Sequence, residues 1–357
     1  MRPAFIRAVA AMAAALFIFA APVVSNAGGP SDALSNGARY IATTQQADGG
    51  FGGFGDGQTF DAIFALRSAG VDPAQVRFGG KSLVDFLNAR AAAQTQAAAA
   101  AKAAMAARAA NLDPRSVNGT NLLAVVTAAY DPTTGRYAAD DFSHGISVLG
   151  LTCNSVDVPN GAVIALRTSQ LADGGWGFDG FSDPDTTAVA LQALIAAGTP
   201  SSDSSVRAAL AYLESIQVPD GGWGFTPAES NTSSTAYVVQ SLLAAGIDLH
   251  GARFGQPASP LDYLLSQQSA DGSFAGFDPA FATNQVLPAL AGRSFCYAPV
   301  TPASGGIPPA PAHPTAPLPP KTGAGLSDTT ANHGVALLAG FMLLLSGVAL
   351  GFAGRRR

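Results

Sequence analysis

One short pattern, repeated four times, constrains the fold of this chain more than any other feature. Each copy places a glutamine, then a glycine four residues later, then an aromatic residue two positions after the glycine. The copies are Gln45, Gly49 and Phe51; Gln170, Gly174 and Trp176; Gln217, Gly221 and Trp223; and Gln268, Gly272 and Phe274. Four copies that align without gaps indicate an architecture built from internal repeats.

The residues around each copy predict a helical hairpin. Apolar residues at helical spacing precede every glutamine, and an Asp-Gly pair then stops the helix because glycine accepts positive φ. The glutamine amide is placed to bond loose carbonyls, while the aromatic residue covers apolar surface. A second helix, rich in small residues, follows each turn.

Two further helix pairs lack this turn but keep the helical pattern: residues 80–91 with 97–111, and residues 120–130 with 142–153. The alanine-rich stretch 97–111 is open to a second interpretation as a low-complexity linker, but its Asn-Leu-Asp-Pro ending matches the Gly-Val-Asp-Pro after the first inner helix. With it the chain has six helical hairpins, none able to bury its own apolar face. The prediction is an all-α (α/α)6 toroid with the small-residue helices inside.

The turn motif and the count of six pairs resemble the α/α toroid shared by squalene-hopene and oxidosqualene cyclases, protein prenyltransferase β subunits, cobalamin carriers and complement thioester domains. The resemblance covers residues 31–297, and we assign residues 28–297 to the toroid. It is specific to the fold and not to one activity.

The two ends of the chain predict export and anchoring. Residues 1–27 have the basic start, apolar run and small-residue end of a signal peptide. The proline-rich residues 298–322 predict a stalk. Residues 323–357 contain an apolar span, 335–353, followed by three arginines, which predicts a transmembrane helix. Together with the preceding Leu-Pro-Pro-Lys-Thr-Gly, residues 318–323, this span and basic tail resemble a sortase-type cell-wall sorting signal. The motif has one proline too many, so that Pro319 stands where leucine is expected, and a permanent membrane anchor is the alternative.

These ends place the folded part at the cell surface, with membrane or cell wall as one partner. Residues 28–322 hold 14 basic and 23 acidic side chains, an acidic balance that argues against nucleic acid. In an oxidising compartment, a disulfide between Cys153 and Cys296 is the first expectation. No cofactor is expected.

A candidate acid lies at the start of the inner helix that follows Trp176. Cyclases of this fold open an inner helix with Asp-x-Asp-Asp-Thr-Ala, whose middle Asp protonates the substrate. Here Asp183 matches the first acid and Asp185 the middle one, but Thr186 replaces the third. The resemblance thus implies that Asp185 is a general acid supported by Asp183. The alternative, which the sequence favours, is that the acidic entry merely caps the helix.

The other activities of the fold find less support in the residues. Leu151 and Ser294 stand where the prenyltransferase zinc site would need an aspartate two residues before each cysteine, and only His144 and His250 are available within the toroid. No metal site is therefore expected. Neither cysteine is followed by the Gly-Glu-Gln that completes the thioester motif of complement thioester domains. Cobalamin carriers need a second, β-rich domain for which the stalk leaves no room.

A comparison of the inner helices predicts a ligand pocket at the mouth of the ring. Aligned on their Ala-Leu pairs, they place five polar side chains at one level, with further candidates within a turn or in the apolar lumen. The level holds Thr59, His144, Thr187, Thr235 and Thr283, and the further candidates are Asp61, Phe64, Asp185 and Tyr237. The alternative is that the hydroxyls cap helices and that His144 is a bonded wall residue.

Together these observations favour a non-catalytic surface module that binds a small molecule or a partner at the mouth of the ring. The alternative is an enzyme resembling terpenoid cyclases or prenyltransferases, with Asp185 as its general acid.

Overall fold

A computed structural model describes residues 29–226, 229–255 and 257–296, and these contain twelve α-helices that alternate between an outer and an inner layer. The outer helices are α1 (Pro30–Thr44), α3 (Leu83–Arg90, continued by a 3-10 turn, Ala91–Ala93), α5 (Leu122–Ala128), α7 (Asn160–Ser169), α9 (Ser204–Ser215) and α11 (Pro260–Ser266). The inner helices are α2 (Asp56–Ser68), α4 (Ala97–Ala109), α6 (Asp141–Thr152), α8 (Pro184–Ala196), α10 (Thr232–Ala244) and α12 (Pro279–Leu290).

The inner helices form a closed ring. Each contacts the next one in chain order, and α12 contacts α2, so that every inner helix has an inner neighbour on both sides. Almost every residue of α8, α10 and α12 is buried, whereas outer helices such as α7 bury one face only. This is the predicted toroid of six helical hairpins, with its core in the inner layer.

Small residues let the inner helices approach one another closely. A Cβ atom added to Gly150 on α6 would collide with Ala101 on α4, so this contact requires glycine. The alanine-rich stretch 97–111 is ordered as α4 and is buried along most of its length, which makes the linker interpretation wrong. The inner position of α4 requires a stable helix and a close approach to its neighbours. Alanine suits both, since it has the highest helix propensity and adds little bulk.

The prediction of a purely helical chain missed three short antiparallel hairpins. β1 (Arg77–Phe78) pairs with β2 (Lys81–Ser82), β3 (Trp176–Phe178) with β4 (Phe181–Asp183), and β5 (Trp223–Thr226) with β6 (Glu229–Asn231). The last two lead from a repeat turn directly into an inner helix. Strands this short show no clear alternation in sequence.

Within the described ranges, no helix is long and apolar enough to cross a bilayer. The predicted signal peptide, stalk and transmembrane span lie outside the described residues.

Candidate functional site

The repeat glutamines tie neighbouring hairpins together. Each donates from Nε2 to the carbonyl of its own turn glycine, for example Gln170 to Gly174 at 2.7 Å. Each also donates to a carbonyl near the start of the next outer helix, for example Gln170 to Ser205 at 2.9 Å. In the last repeat, Gln268 donates to Ala33 on α1 at 2.9 Å and so joins the end of the ring to its beginning.

The turn glycines and tryptophans also join neighbouring elements. We call the repeat turns, together with the outer helices that they contact, the wall of the toroid. Gly174 has φ of +93° and lies so close to α9 that an added Cβ would be 2.5 Å from the carbonyl oxygen of Ala208. The indole of Trp176 is fully buried and donates from Nε1 to the carbonyl of Leu166 at 2.7 Å. The outer helices end before the glutamine and not at the glycine, because the glycine belongs to the following turn.

The predicted polar collar faces this wall and not the lumen, so that part of the pocket prediction is wrong. Each of its threonines accepts a hydrogen bond through Oγ1 from the backbone N–H of its own turn's aromatic residue, at 2.9 to 3.0 Å. The pairs are Thr59 with Phe51, Thr187 with Trp176, Thr235 with Trp223 and Thr283 with Phe274. A side chain that anchors its turn is not available to a ligand.

His144 holds the same place in the hairpin whose turn lacks the motif. Its Nδ1 accepts from the N–H of Tyr137 at 3.1 Å, and its Nε2 lies 3.0 Å from the carbonyl oxygen of Ala162. Burial lowers the pKa of His144 to about 4, so the ring is neutral with its proton on Nε2. Both ring nitrogens of His144 therefore have hydrogen-bond partners in the wall, as the alternative interpretation of this residue requires.

The other pocket candidates Asp61, Phe64 and Tyr237 are all buried in the interior. Asp61 on α2 forms an ion pair with Lys102 on α4, with Nζ 2.7 Å from Oδ2 and side chains only 2% and 4% exposed. Burial raises the pKa of Asp61 despite the opposing effect of Lys102. Its other oxygen, Oδ1, has no hydrogen-bond partner among the described residues.

Asp183 and Asp185 differ in their contacts, which distinguishes the helix-cap interpretation from the acid interpretation. Asp183 is the N-cap of α8 and accepts from the N–H of Thr186 at 2.8 Å. Asp185 does not cap: its Oδ1 is buried, with no partner in the described part of the chain, and the side chain of Ser234 on α10 hydrogen-bonds its carboxyl group. The helix-cap interpretation therefore holds for Asp183 and is wrong for Asp185.

Both carboxyl groups are harder to ionise than an ordinary aspartate. Burial raises the pKa of Asp185 to about 7, and the negative charge of nearby Asp183 adds to the effect. Burial raises the pKa of Asp183 to about 6, opposed by the amides that it caps. At neutral pH Asp185 thus keeps its proton in a large fraction of molecules.

Tyr237 lies between the two acidic centres. Burial raises the pKa of its hydroxyl well above the usual value, and the negative charges of Asp61 and Asp185 add to this effect. Its ring also belongs to a line of aromatic contacts through the interior. Phe142 lies 6.1 Å from Tyr237, Tyr237 lies 6.1 Å from Phe295, and Phe295 lies 5.9 Å from Phe64, between ring centroids.

A cavity of about 10 Å³, room for roughly one water, lies beside these groups. Its lining includes Asp61, Phe64, Gln285 and Phe295. Sequence reasoning missed Lys102, Gln285 and Phe295. A signal existed for two of them: Gln285 lies two positions after the collar threonine of its helix, as Asp61 and Tyr237 do, and Lys102 is the one charge between residues 97 and 107.

The two cysteines are joined by a disulfide, Cys153–Cys296, with their Cα atoms 4.7 Å apart. Cys153 is the residue directly after α6, and Cys296 is the last described residue. The bond therefore ties the segment after α12 to the far side of the inner ring.

Comparisons with known proteins bear on this architecture. The family model of the squalene-hopene cyclase C-terminal domain matches residues 124–287, a stretch that contains Asp183, Asp185 and three of the four repeat turns. No curated protein sequence matches the chain.

Solved structures share the fold at low identity. The apo type II terpene cyclase MstE from Scytonema is 16% identical, with 73% of this chain and 97% of that chain covered and a TM-score of 0.57. An unsaturated glucuronyl hydrolase from Bacillus sp. GL1 is 13% identical, with 72% and 94% covered and a TM-score of 0.53. Because these two enzymes act on different substrates, the shared fold does not select an activity.

Proposed function

We propose that this chain, an α/α toroid whose residues 124–287 match the squalene-hopene cyclase C-terminal domain, is an acid-initiated enzyme acting on an isoprenoid-type alkene, with Asp185 as the proton donor. The observation that carries this proposal is the state of the Asp185 carboxyl group: its Oδ1 is buried without a hydrogen-bond partner among the described residues, and its pKa is raised to about 7. A proton donor must hold its proton at the working pH, and an aspartate with an ordinary pKa does not.

The proposed step transfers the proton of Asp185 to one carbon of a carbon–carbon double bond. The π electrons form the new C–H bond, and the neighbouring carbon becomes positively charged. A second double bond in the same molecule attacks that carbon, or water captures it, and a proton is finally lost to solvent. Asp185 recovers its proton from solvent, so that no oxidant or cofactor is required.

The surroundings of Asp185 suit both charges that this step creates. The Ser234 side chain hydrogen-bonds the carboxylate left behind, and it accepts from Nδ2 of Asn231 at 3.0 Å. The rings of Tyr237 and Phe142 offer π faces, which attract positive charge.

A second candidate is binding without turnover, which the sequence favoured. Its support is the set of polar atoms around the cavity that have no well-formed hydrogen bond among the described residues: Oδ1 of Asn284, and Oδ1 of Asp61 with Nε2 of Gln285, whose side chains lie near each other. Buried polar groups usually find partners, and a ligand's hydroxyl or amide would supply them here. Under this candidate Asp185 donates a hydrogen bond to the ligand and transfers no proton.

One experiment separates the two candidates. The full chain and its Asp185→Asn variant are incubated with geranylgeraniol and, separately, with squalene, and the extracts are analysed by mass spectrometry for cyclised products. Acid catalysis predicts products from wild type and none from the variant, with binding retained. Asp179→Asn is the matched control, since Asp179 is exposed and already has φ of +51°, which asparagine tolerates. Equal binding with no product from either protein would favour the second candidate.

Display at the cell surface is part of the proposal. It is supported by the signal-peptide and anchor patterns at the two ends of the sequence and by the disulfide, a bond typical of exported proteins. Protease treatment of intact cells of the source organism tests it. The toroid should be released or degraded without lysis, and full protection of the chain would contradict surface display.

A further inference from the structure

The segment after α12, residues 291–296, crosses the inner ring as a strap. It leaves α12 at Leu290 and ends at Cys296, which is bonded to Cys153 directly after α6. In the closed order of inner helices, α6 lies three places from α12 in either direction. The strap therefore joins opposite sides of the ring, at the C-terminal ends of the inner helices.

Phe295 is the residue through which the strap enters the lumen. Its ring makes an edge contact with Phe64 on α2 and a tilted contact with Tyr237 on α10. Its backbone N–H donates to Oε1 of Gln192 on α8 at 3.2 Å. With only 6% of its surface exposed, Phe295 is held from three inner helices at once.

The disulfide restricts any movement of this ring. Cys296 follows Phe295 directly, and its covalent bond to the end of α6 fixes the chain on one side, while α12 fixes it on the other. The ring cannot withdraw from the lumen without breaking the bond or shifting α6.

We propose that Phe295 is a specificity-determining residue, whose ring forms the floor of the lumen and limits the length of apolar ligand that the toroid accepts. The Cys153–Cys296 bond keeps that floor in place. This inference rests on the proposed function only for the apolar character of the ligand, and it holds whether or not the ligand is converted.

The small cavity next to Phe295 indicates how truncation of this side chain would change the space open to a ligand. Phe295 and Phe64 line it together with Asp61 and Gln285, so truncating Phe295 joins the volume of the lost ring to that space. Polar side chains line much of this space, but Phe64, Pro288 and Phe295 give it one apolar side, and an enlarged apolar space accepts a larger apolar group. The lumen of a Phe295→Ala variant should therefore accept a ligand longer by a few carbons.

The test measures binding of two probes, farnesol and geranylgeraniol, to the full chain carrying Asp185→Asn, so that no turnover interferes. Phe295→Ala should raise the affinity for geranylgeraniol relative to farnesol by about tenfold or more, since each misplaced methylene in an apolar pocket changes affinity by that order. Phe277→Ala is the matched control, because Phe277 is 82% exposed and should leave the ratio unchanged. Circular dichroism and melting curves confirm that each variant folds.

The role of the Cys153–Cys296 disulfide is tested with the double variant Cys153→Ser/Cys296→Ser and by reducing the bond in the wild type. Both should shift the ratio in the same direction as Phe295→Ala and should speed amide exchange at Phe295. An unchanged ratio in Phe295→Ala, or no binding of either probe to any variant, overturns the inference. If cyclised products depend on Asp185 but Phe295→Ala leaves the affinity ratio unchanged, the proposed function stands and the role of Phe295 is rejected. If the affinity ratio changes but no product forms, the role of Phe295 stands and the proposed catalysis is rejected.

Discussion

Lys102 on α4 and Asp61 on α2 form an ion pair, 2.7 Å from Nζ to Oδ2, that is almost completely withdrawn from solvent. Removing one partner leaves an uncompensated charge in the interior. Lys102→Met should therefore lower the free energy of unfolding by about 3–5 kcal/mol, whereas Asp61→Leu/Lys102→Met should recover most of the loss. Urea denaturation of the two variants measures both values.

A surface pair provides the control for this prediction. Arg167 and Asp203 lie 2.9 Å apart with side chains 39% and 21% exposed, so Arg167→Met should cost no more than about 1 kcal/mol. Equal losses for Lys102→Met and Arg167→Met would show that burial adds nothing to the Asp61 interaction.

The raised pKa of Asp185 predicts that stability falls as the pH rises. The unfolded state ionises this group near its ordinary pKa of 3.8, while the folded state holds the proton until about pH 7. Between these values the folded state binds more protons, so the free energy of unfolding decreases with pH, by up to about 1.4 kcal/mol per unit for one proton.

Urea titrations at several pH values between 4 and 7.5 test this linkage in wild type and Asp185→Asn. The variant should show a shallower decline, with the remaining slope due in part to Asp183, whose pKa is about 6. Asp179→Asn should follow wild type. Parallel curves for wild type and Asp185→Asn would mean that Asp185 ionises normally.

The sequence predicted the wall of the toroid well because the wall repeats. Gln170, Gly174 and Trp176 each perform a task that depends on neighbouring backbone, and the same task recurs at the same spacing in other hairpins. Such local requirements leave a periodic signal in a single sequence.

The interior was harder to predict because the inner helices are buried on all sides. In α8 only Asp185 and the last two residues are not fully buried, so no apolar stripe distinguishes the lumen from the wall. The sequence therefore assigns Thr187 to the collar of a ligand pocket, although its hydroxyl accepts from the N–H of Trp176 in the wall. The roles of Lys102 and Phe295 depend on contacts between segments far apart in sequence, which leave no periodic signal.

The bond between Gln268 and Ala33 predicts a local effect at the junction of the ring. Gln268→Ala removes the 2.9 Å hydrogen bond to the carbonyl of Ala33 and should loosen α1, seen as faster amide exchange across Pro30–Thr44. Gln217→Ala is the matched control, since it loses the equivalent bond to Phe254 within the ring. Faster exchange of α1 in both variants would mean that closure is shared by all hairpins.

The disulfide should contribute several kilocalories per mole to stability. Cys153 and Cys296 are 143 residues apart in sequence, and closing a loop of this length restricts the unfolded chain by about 4–5 kcal/mol in the entropic account. Cys153→Ser/Cys296→Ser should lower the free energy of unfolding by a value of that order, measured by urea denaturation without reductant. Reduced wild type should match the double variant, because both lack the same constraint, and adding reductant to the double variant should have no effect. A reduced wild type as stable as the oxidised protein would mean that packing alone holds residues 291–296 in place.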